Sequence, residues 1–385
     1  MKLVLNSGFR RFLILAACCT GTFLLPACAF FKGSDPRPKP VELGPNAALF
    51  GIQRAWAVNI GSTAGLPLQV NVQGNGVTVA SVDGAVVRID AADGAVLWRA
   101  KVPQGLSAGV GSDGRWSAVV SKDNKLTVLD AGNIVWKHQL AAQTYTAPLV
   151  AGDRVFVLTA DRAVAAFDAQ NGAVLWTRPG AGEPLVLRQA GVLIAAGDTL
   201  VAGIAGRLVG MDPNSGDTRW EATLANPRGA NDVERLVEIV APASRIQTNL
   251  CARAFQASVA CFDFASGRVL WAQKADGADG VTGDGEAVFG TESNGTVQAW
   301  ARRSGERAWS VDSLRYRNLS APLLLGRSVV IGDGVGLVHF LSREDGSPLN
   351  RLTTDGSAIS IAPVVVSDTL VVVTKNGGVF GFRPN

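Results

Sequence analysis

The chain has 385 residues, of which 47% are hydrophobic and 18% charged, and this balance excludes a largely disordered protein. Its formal net charge of +4 falls to about +1 once an N-terminal segment containing Lys2, Arg10 and Arg11 is removed, so nucleic-acid binding has no electrostatic support. The 44 glycines indicate many turns rather than long helices.

The first element is a targeting segment over residues 1–27. Positive charges at its start precede an uncharged stretch, residues 12–27, which is shorter than the roughly 20 apolar residues of a membrane-spanning helix. The stretch ends in Leu25-Pro26-Ala27-Cys28, which resembles the lipobox of bacterial lipoproteins, where small residues admit the peptidase and the thiol receives the lipid. We therefore predict a lipoprotein signal peptide over 1–27 and lipidation at Cys28.

Two alternatives stay open for this segment. A second box, Leu15 to Cys18, follows a shorter apolar run, and an ordinary cleaved signal peptide needs no lipid. Residues 28–45 contain several prolines and charges and predict an extended, flexible tether. Ala29 follows the cysteine where an Asp would resemble the inner-membrane retention signal of enteric bacteria, so we expect a lipid anchor at the periplasmic face of the outer membrane.

One pattern recurs between residues 46 and 385. Each copy has a turn, a short apolar strand, an Asp, a second turn with Gly, and a strand that ends in Trp; the clearest copies are 83–98 and 161–176. The marker residues are Trp56, Trp98, Trp136, Trp176, Trp220, Trp271, Trp309 and Asn350, at separations of 38 to 51 residues. A period of about 40 with four short strands predicts an all-β domain, an eight-bladed β-propeller with four-stranded antiparallel blades.

The two ends of this domain each leave a blade incomplete. The strand near Trp56 has no partners before it, and the last strand, Gly377 to Phe382, has no Trp strand after it. We predict that the N- and C-terminal strands pair and close the ring, because closure leaves only short, protected edges. Helix is expected only as a turn or two within residues 231–240, inside the one long repeat.

The recurring residues have a structural interpretation. Each Trp should pack between neighbouring blades, where a large flat side chain buries much area, and the Asp and Gly residues should form turns. Cys251 and Cys261 lie symmetrically about Gln256 in a predicted hairpin. They are candidates for a cross-strand disulfide in the oxidising periplasm, with two buried free thiols as the alternative.

The sequence contains little that could serve catalysis. Its two histidines, His138 and His339, fall in different repeats, and no cluster of His and Cys has metal-ligand spacing. Residues 109–114 match the glycine pattern of dinucleotide sites by letter only, since they lie between two strands with no helix to receive a phosphate. We predict no catalytic residue, no metal and no cofactor.

The repeat looks like the tryptophan-docking repeat of pyrroloquinoline-quinone enzymes. A periplasmic quinone-dependent dehydrogenase, or a propeller sensor derived from one, is therefore the alternative function. Those enzymes are generally much longer, and the resemblance would imply a vicinal Cys pair and a calcium site. The vicinal pair in this chain, Cys18-Cys19, falls in the segment to be removed.

The lipobox, the short tether and about eight repeats together resemble the BamB family, the propeller lipoproteins of the outer-membrane β-barrel assembly machinery. The resemblance covers the whole chain, from the start Cys28-Ala-Phe-Phe to the closing segment Asn376–Phe382. It implies a non-enzymatic scaffold that docks on the periplasmic POTRA domains of the central barrel subunit, BamA, and aids the insertion of outer-membrane proteins. Unfolded outer-membrane proteins are a second implied partner.

The family's two docking loops match two segments of this sequence. Its Leu-x-Leu-Arg loop resembles Leu185-Val186-Leu187-Arg188 in full. Its Arg-Leu-x-Asp-x-Asp loop resembles residues 235–240, where Glu238 keeps the first acid and Val240 replaces the second. The resemblance thus implies a partner-binding patch of Leu185, Leu187, Arg188 and Glu238. The residues alone favour an ordinary strand start, and a propeller that binds another envelope protein is a third function, because fold does not choose among functions.

Overall fold

A computed structural model describes residues 38–180, 185–227, 230–231 and 236–385. These residues form strands and turns and no helix, and none of them belongs to a helix long and apolar enough to cross a membrane. The predicted signal peptide and Cys28 lie outside the described residues. The helical turn expected within 231–240 is absent from the part of that segment that is described, because Ile239 already begins a strand.

The first strand, β1 (Ile52–Asn59), is separated in space from the strands that follow it in sequence. Four complete antiparallel sheets come next, each with its strands in chain order, and we number them blades 1 to 4. Blade 1 contains β2 (Asn71–Gln73), β3 (Gly76–Ala80), β4 (Ala85–Asp90) and β5 (Val96–Lys101); blade 2 contains β6 (Gly111–Ser112), β7 (Trp116–Val120), β8 (Lys125–Asp130) and β9 (Asn133–Gln139); blade 3 contains β10 (Leu149–Ala151), β11 (Arg154–Leu158), β12 (Val164–Asp168) and β13 (Val174–Arg178); blade 4 contains β14 (Leu193–Ala196), β15 (Thr199–Ile204), β16 (Arg207–Met211) and β17 (Thr218–Thr223).

Blades 5 to 7 repeat this order, and blade 8 is built from both ends of the domain. Blade 5 contains β18 (Ile239–Ile246), β19 (Asn249–Ala254), β20 (Ser258–Asp263) and β21 (Arg268–Lys274); blade 6 contains β22 (Thr282–Gly283), β23 (Ala287–Thr291), β24 (Val297–Ala301) and β25 (Arg307–Val311); blade 7 contains β26 (Leu323–Leu325), β27 (Ser328–Gly332), β28 (Leu337–Ser342) and β29 (Pro348–Thr353); blade 8 contains β30 (Val364–Val366), β31 (Thr369–Val373), β32 (Gly378–Pro384) and β1. The prediction of an eight-bladed propeller is confirmed.

Ring closure occurs where the sequence predicted it. Strand β32 pairs with β31 on one side and with β1 on the other, in a register that runs from Ile52 opposite Pro384 to Asn59 opposite Gly378. The apolar side chains of Val379, Phe380 and Phe382 are buried within this blade. The last strand of the chain is therefore an inner member of a sheet, and it connects the two ends of the domain.

The Trp residues join each blade to the next. Each stands third to fifth in its outermost strand, not at the end of the strand as the pattern suggested. Five indole Nε1 groups donate to a carbonyl oxygen in the outer turn of the following blade, at 2.7–3.0 Å; they belong to Trp56, Trp136, Trp176, Trp271 and Trp309. The prediction that these residues pack between blades is confirmed.

The Gly of each outer turn is needed for two reasons, which Gly172 illustrates. Its φ of 75° lies in the left-handed region that side chains rarely adopt. A Cβ atom added there would also lie 2.7 Å from the Trp136 ring. Turn Gly and interblade Trp therefore form one packing unit, and this explains why they recur together in the sequence.

Blade 7 has Asn350 where the other copies have Trp, and a segment before β1 occupies the gap. The Asn350 amide donates to the Phe50 carbonyl at 2.7 Å, and the Phe50 ring packs edge-on against Phe340 with centroids 5.5 Å apart. Leu49 donates from its backbone to the Leu349 carbonyl at 3.0 Å. This segment therefore performs at the last interblade gap the packing that Trp performs elsewhere.

The same segment continues back along β29 as far as the connection between β25 and β26. The Val41 backbone N–H donates to the Arg315 carbonyl, and Arg317 donates to the Val41 carbonyl, each at 3.1 Å. We call residues 39–51 the N-terminal latch. The compact unit accordingly begins at Lys39 rather than at residue 46. Within the predicted tether, residues 28–45, Val41 and Gly44 form hydrogen bonds with the ring, and the flexible tether stays a prediction.

Candidate partner-binding site

Two connections between blades run side by side on one face of the ring. One joins β13 to β14 and contains Leu185, Leu187 and Arg188; the other joins β17 to β18 and contains Glu238. Gly191 forms a β-bridge with Val240, and the Ala241 backbone N–H donates to the Ala190 carbonyl at 2.9 Å. We call this side of the ring the loop face. Strands alternate in direction, so the loop face also contains the turn between the second and third strand of every blade.

Arg162, in the turn between β11 and β12, fastens the two connections together. Its Nη2 donates to the Glu238 carboxylate at 3.1 Å and to the Leu185 carbonyl at 3.3 Å. The residue is only 9% exposed. One buried Nη2 group thus connects the turn of blade 3 to both connections, and one of its two bonds is the stronger, charge-assisted kind.

The backbone of Arg162 shows that the position is specialised. Its φ is 65°, a left-handed conformation that costs a side-chain-bearing residue on the order of 1 kcal/mol. In the aligned copy, Asp83-Gly84-Ala85 stands where this blade has Asp161-Arg162-Ala163, and Gly84 takes a φ of 101°. Sequence reasoning missed Arg162. The signal was present as an Arg at a turn position that the other clear copy gives to Gly.

Glu238 faces inward. Its carboxylate is 14% exposed and forms the ion pair with Arg162. Burial raises the pKa of the Glu238 carboxyl above its ordinary value, and the charge of Arg162 opposes that rise in part. We call Arg162 with its bonds to Glu238 and the Leu185 carbonyl the Arg162 clamp. Glu238 is therefore oriented toward Arg162, and its contact with a partner stays a prediction.

The two leucines differ in accessibility. Leu185 is 39% exposed. Leu187 is half-buried and contributes to two hollows, one shared with Tyr145 and Glu238, and the other a groove of about 810 Å³ that Phe255 also lines. Together they present an apolar surface beside the clamp, which resembles the anchors found at the centres of protein interfaces.

Arg188 and Val240 do not lie in one continuous surface with Leu185, Leu187 and Glu238. Arg188 is exposed and lines the central cavity of the ring, whereas Leu187 and Glu238 surround the Arg162 clamp. Val240 is 1% exposed and pairs with Arg253 within β18 and β19. The structure thus brings three of the four predicted residues together and places Arg188 at the border of the patch. An acid at Val240 would be buried.

The cysteines and histidines have structural positions. Cys251 lies directly opposite Cys261 in the pairing of β19 with β20, and their sulfur atoms are joined in a disulfide. His339 is buried and its Nε2 lies 3.0 Å from Asp333, which also accepts from Arg317 at 2.8 Å. Among the described residues, no group of three or more His, Cys, Asp or Glu side chains could hold a metal ion.

The geometry defines a class, the eight-bladed β-propeller with Trp docking between blades and two clamped loops on one face. A family model described as outer membrane protein assembly factor BamB matches residues 82–311. The outer membrane protein assembly factor BamB of Burkholderia pseudomallei is 37% identical over 378 residues, which cover 97% of this chain and 99% of that protein. The chain belongs to the BamB family.

Solved structures agree on the fold. The crystal structure of BamB from Moraxella catarrhalis superimposes with a TM-score of 0.78 at 24% identity and covers 86% of this chain and 100% of that one. The quinohemoprotein alcohol dehydrogenase of Comamonas testosteroni gives a TM-score of 0.67 at 15% identity and covers 89% and 78%. Both likenesses show the fold alone, and the one to the quinohemoprotein is a likeness of the propeller.

Proposed function

We propose that this protein is a scaffold of outer-membrane β-barrel assembly that docks through its loop face on the periplasmic POTRA domains of the central barrel subunit and so aids insertion of outer-membrane proteins. The observation that supports this most is the Arg162 clamp. A buried ion pair and a strained turn hold two loops from adjacent blade junctions in register, with Leu185 exposed beside them. Preorganised loops with apolar anchors lose less entropy on binding.

The test is a direct binding measurement. The purified full-length protein would be titrated against the purified periplasmic region of the barrel subunit, and the same protein would be used to capture partners from solubilised envelopes. Saturable one-to-one binding supports the proposal. Absence of binding to the barrel subunit, with a different envelope protein captured in stoichiometric amount, would overturn it in favour of another partner.

The anchor is a separate part of the proposal. Cys28 follows the lipobox-like Leu25-Pro26-Ala27, so the protein would be lipidated there and held at the periplasmic face of the outer membrane. Cys28→Ala should abolish labelling by radioactive palmitate and move the protein out of the outer-membrane fraction. Persistent lipid labelling of Cys28→Ala, with loss of label in Cys18→Ala, would transfer the anchor to Cys18.

The clamp gives a prediction of its own. Arg162→Asn keeps a residue that tolerates the left-handed turn but removes both bonds to Leu185 and Glu238. We expect binding to the barrel subunit to weaken by about tenfold, because the loops lose their fixed register. Hydrogen exchange of the backbone amides at 185–191 should become faster.

The matched control is Asn124→Gly. Asn124 occupies the same turn position in blade 2, with a φ of 63°, and its backbone hydrogen bonds are to Ser121 and Leu140 of that blade and its exit. It should leave both binding and amide exchange at 185–191 unchanged. Equal binding by Arg162→Asn and the parent protein, with faster loop exchange, would mean that loop register is irrelevant to docking.

A further inference from the structure

A cavity of about 510 Å³ lies on the axis of the ring. Its walls come from the innermost strands of blades 5, 6, 7 and 8, from the segments that lead into the innermost strands of blades 1, 4, 6, 7 and 8, and from Lys375 in the turn between β31 and β32. The volume is within the range of small-molecule sites. The cavity is separate from the clamped leucines of the docking patch, although Arg188 borders both.

Apolar side chains from several blades form one part of the cavity wall. Leu68, Leu323 and Ile361 come from three different blades and face the same space, together with several prolines. Proline has no backbone donor, so these segments offer few N–H groups to a ligand. An apolar body is therefore the complement of this part of the wall.

Two cations stand at the mouth on opposite sides of the axis. Arg188 belongs to the approach to blade 4, and Lys375 to the turn of blade 8. In a ring of eight blades these positions are half a turn apart. Within the residues that the structure describes, neither side chain has an ion-pair or hydrogen-bond partner.

The acidic residue in the cavity lining, Asp279, already has a hydrogen-bond donor within the protein. Its carboxylate accepts from the Gln189 amide at 3.1 Å. Burial raises the pKa of Asp279 to about 6, although Arg253 opposes the rise. The acid thus has a donor of its own, while the charges without a partner are positive. Charge complementarity favours an anion at the mouth.

We propose that the central cavity binds an apolar chain that ends in a carboxylate, with the chain against Leu68, Leu323 and Ile361 and the carboxylate between Lys375 and Arg188. Such a group comes from a fatty acid or from the C-terminus of a polypeptide. Both sources share the chemistry that the cavity recognises. The inference does not require docking on the barrel subunit, although Arg188 belongs to both the cavity and the docking patch.

The experiment is a calorimetric titration of the full-length protein in lipid nanodiscs, with empty nanodiscs as the blank. The probes are decanoate, decylamine and decanol, followed by acetyl-Ala-Leu-Leu with a free or an amidated C-terminus. We expect decanoate to bind about tenfold more tightly than decanol and decylamine. Lys375→Ala should remove that preference, and Ser360→Trp, at an exposed lining position, should block binding of every probe.

The comparison of the peptide and decyl probes distinguishes a polypeptide C-terminus from a fatty acid, and it also shows whether the proposal is wrong. Preference for the free over the amidated peptide, at an affinity above that of decanoate, assigns the site to a polypeptide end; the reverse order assigns it to a fatty acid. Equal affinity for the three decyl probes, or a decanoate affinity that neither Lys375→Ala nor Ser360→Trp changes, overturns the proposal. Thermal melts of both variants confirm that they are folded, so that a loss of binding is interpretable.

Discussion

A chain that ends at Lys375 should melt about 10–20 °C or more below the parent protein. The missing residues contain β32, which pairs with both β31 and β1. Its Phe380 and Phe382 side chains are buried, and the loss of each costs about 3–5 kcal/mol. The sum is comparable with the whole stability of a typical domain, about 5–15 kcal/mol. Scanning calorimetry measures the shift, which corresponds to about 2 °C per kcal/mol for a chain of this size.

Deletion of Asn385 alone is the matched control for this truncation. It removes one backbone hydrogen bond, to the Gly51 carbonyl at 3.3 Å, and no buried apolar side chain. We expect a change of less than about 2 °C. If the chain that ends at Lys375 also melted within that range of the parent, the β1–β32 pairing would contribute nothing to the stability of the ring.

Leu187→Ala and Arg188→Ala should each weaken binding to the periplasmic region of the barrel subunit by roughly thirtyfold, which is the typical effect of truncating an interface anchor at about 2 kcal/mol. Leu187 lines both hollows of the patch, and Arg188 is exposed at its border. Arg188→Lys should restore only part of the affinity, because an ammonium lacks the fork of a guanidinium. Surface-bound barrel subunit and purified variants would give the dissociation constants.

The control for the docking variants is Leu175→Ala. Leu175 is 45% exposed on the outermost strand of blade 3, so its truncation removes a leucine side chain that is more accessible than the half-buried Leu187. It should bind as the parent does. Unchanged affinity in both Leu187→Ala and Arg188→Ala, with normal melting, would leave the docking proposal supported by family membership alone.

The features that the sequence predicted are the periodic ones. The spacing of Trp and Gly defines the blades because both residues serve one contact, in which the indole packs on a turn with positive φ. Ring closure was also predictable, since a strand near Trp56 and a strand near Phe380 each lacked a partner. Period and pairing are local or repeated properties, and a single sequence displays them directly.

The features that the sequence did not predict depend on contacts between distant residues. Nothing near Asn46 indicates that its side chain bonds Asn350, which is 304 positions away. Nothing near Glu238 indicates that Arg162 turns it inward. The family resemblance identified the loops that contain the patch, whereas the only sequence signal for Arg162, the residue that fixes their register, is that it stands where the other clear copy has Gly84.

The latch has a mechanical consequence. Any tension that enters the chain ahead of Lys39 reaches the ring at Val41, on the loop face, and then passes along β29 to Phe50 before it arrives at β1. The hydrogen bonds of the latch to Arg315, Arg351 and Leu349 lie in series along that path, so they would peel one at a time. Force applied ahead of Lys39 would therefore break the hydrogen bonds of the latch before it reached the pairing of β1 with β32 that closes the ring.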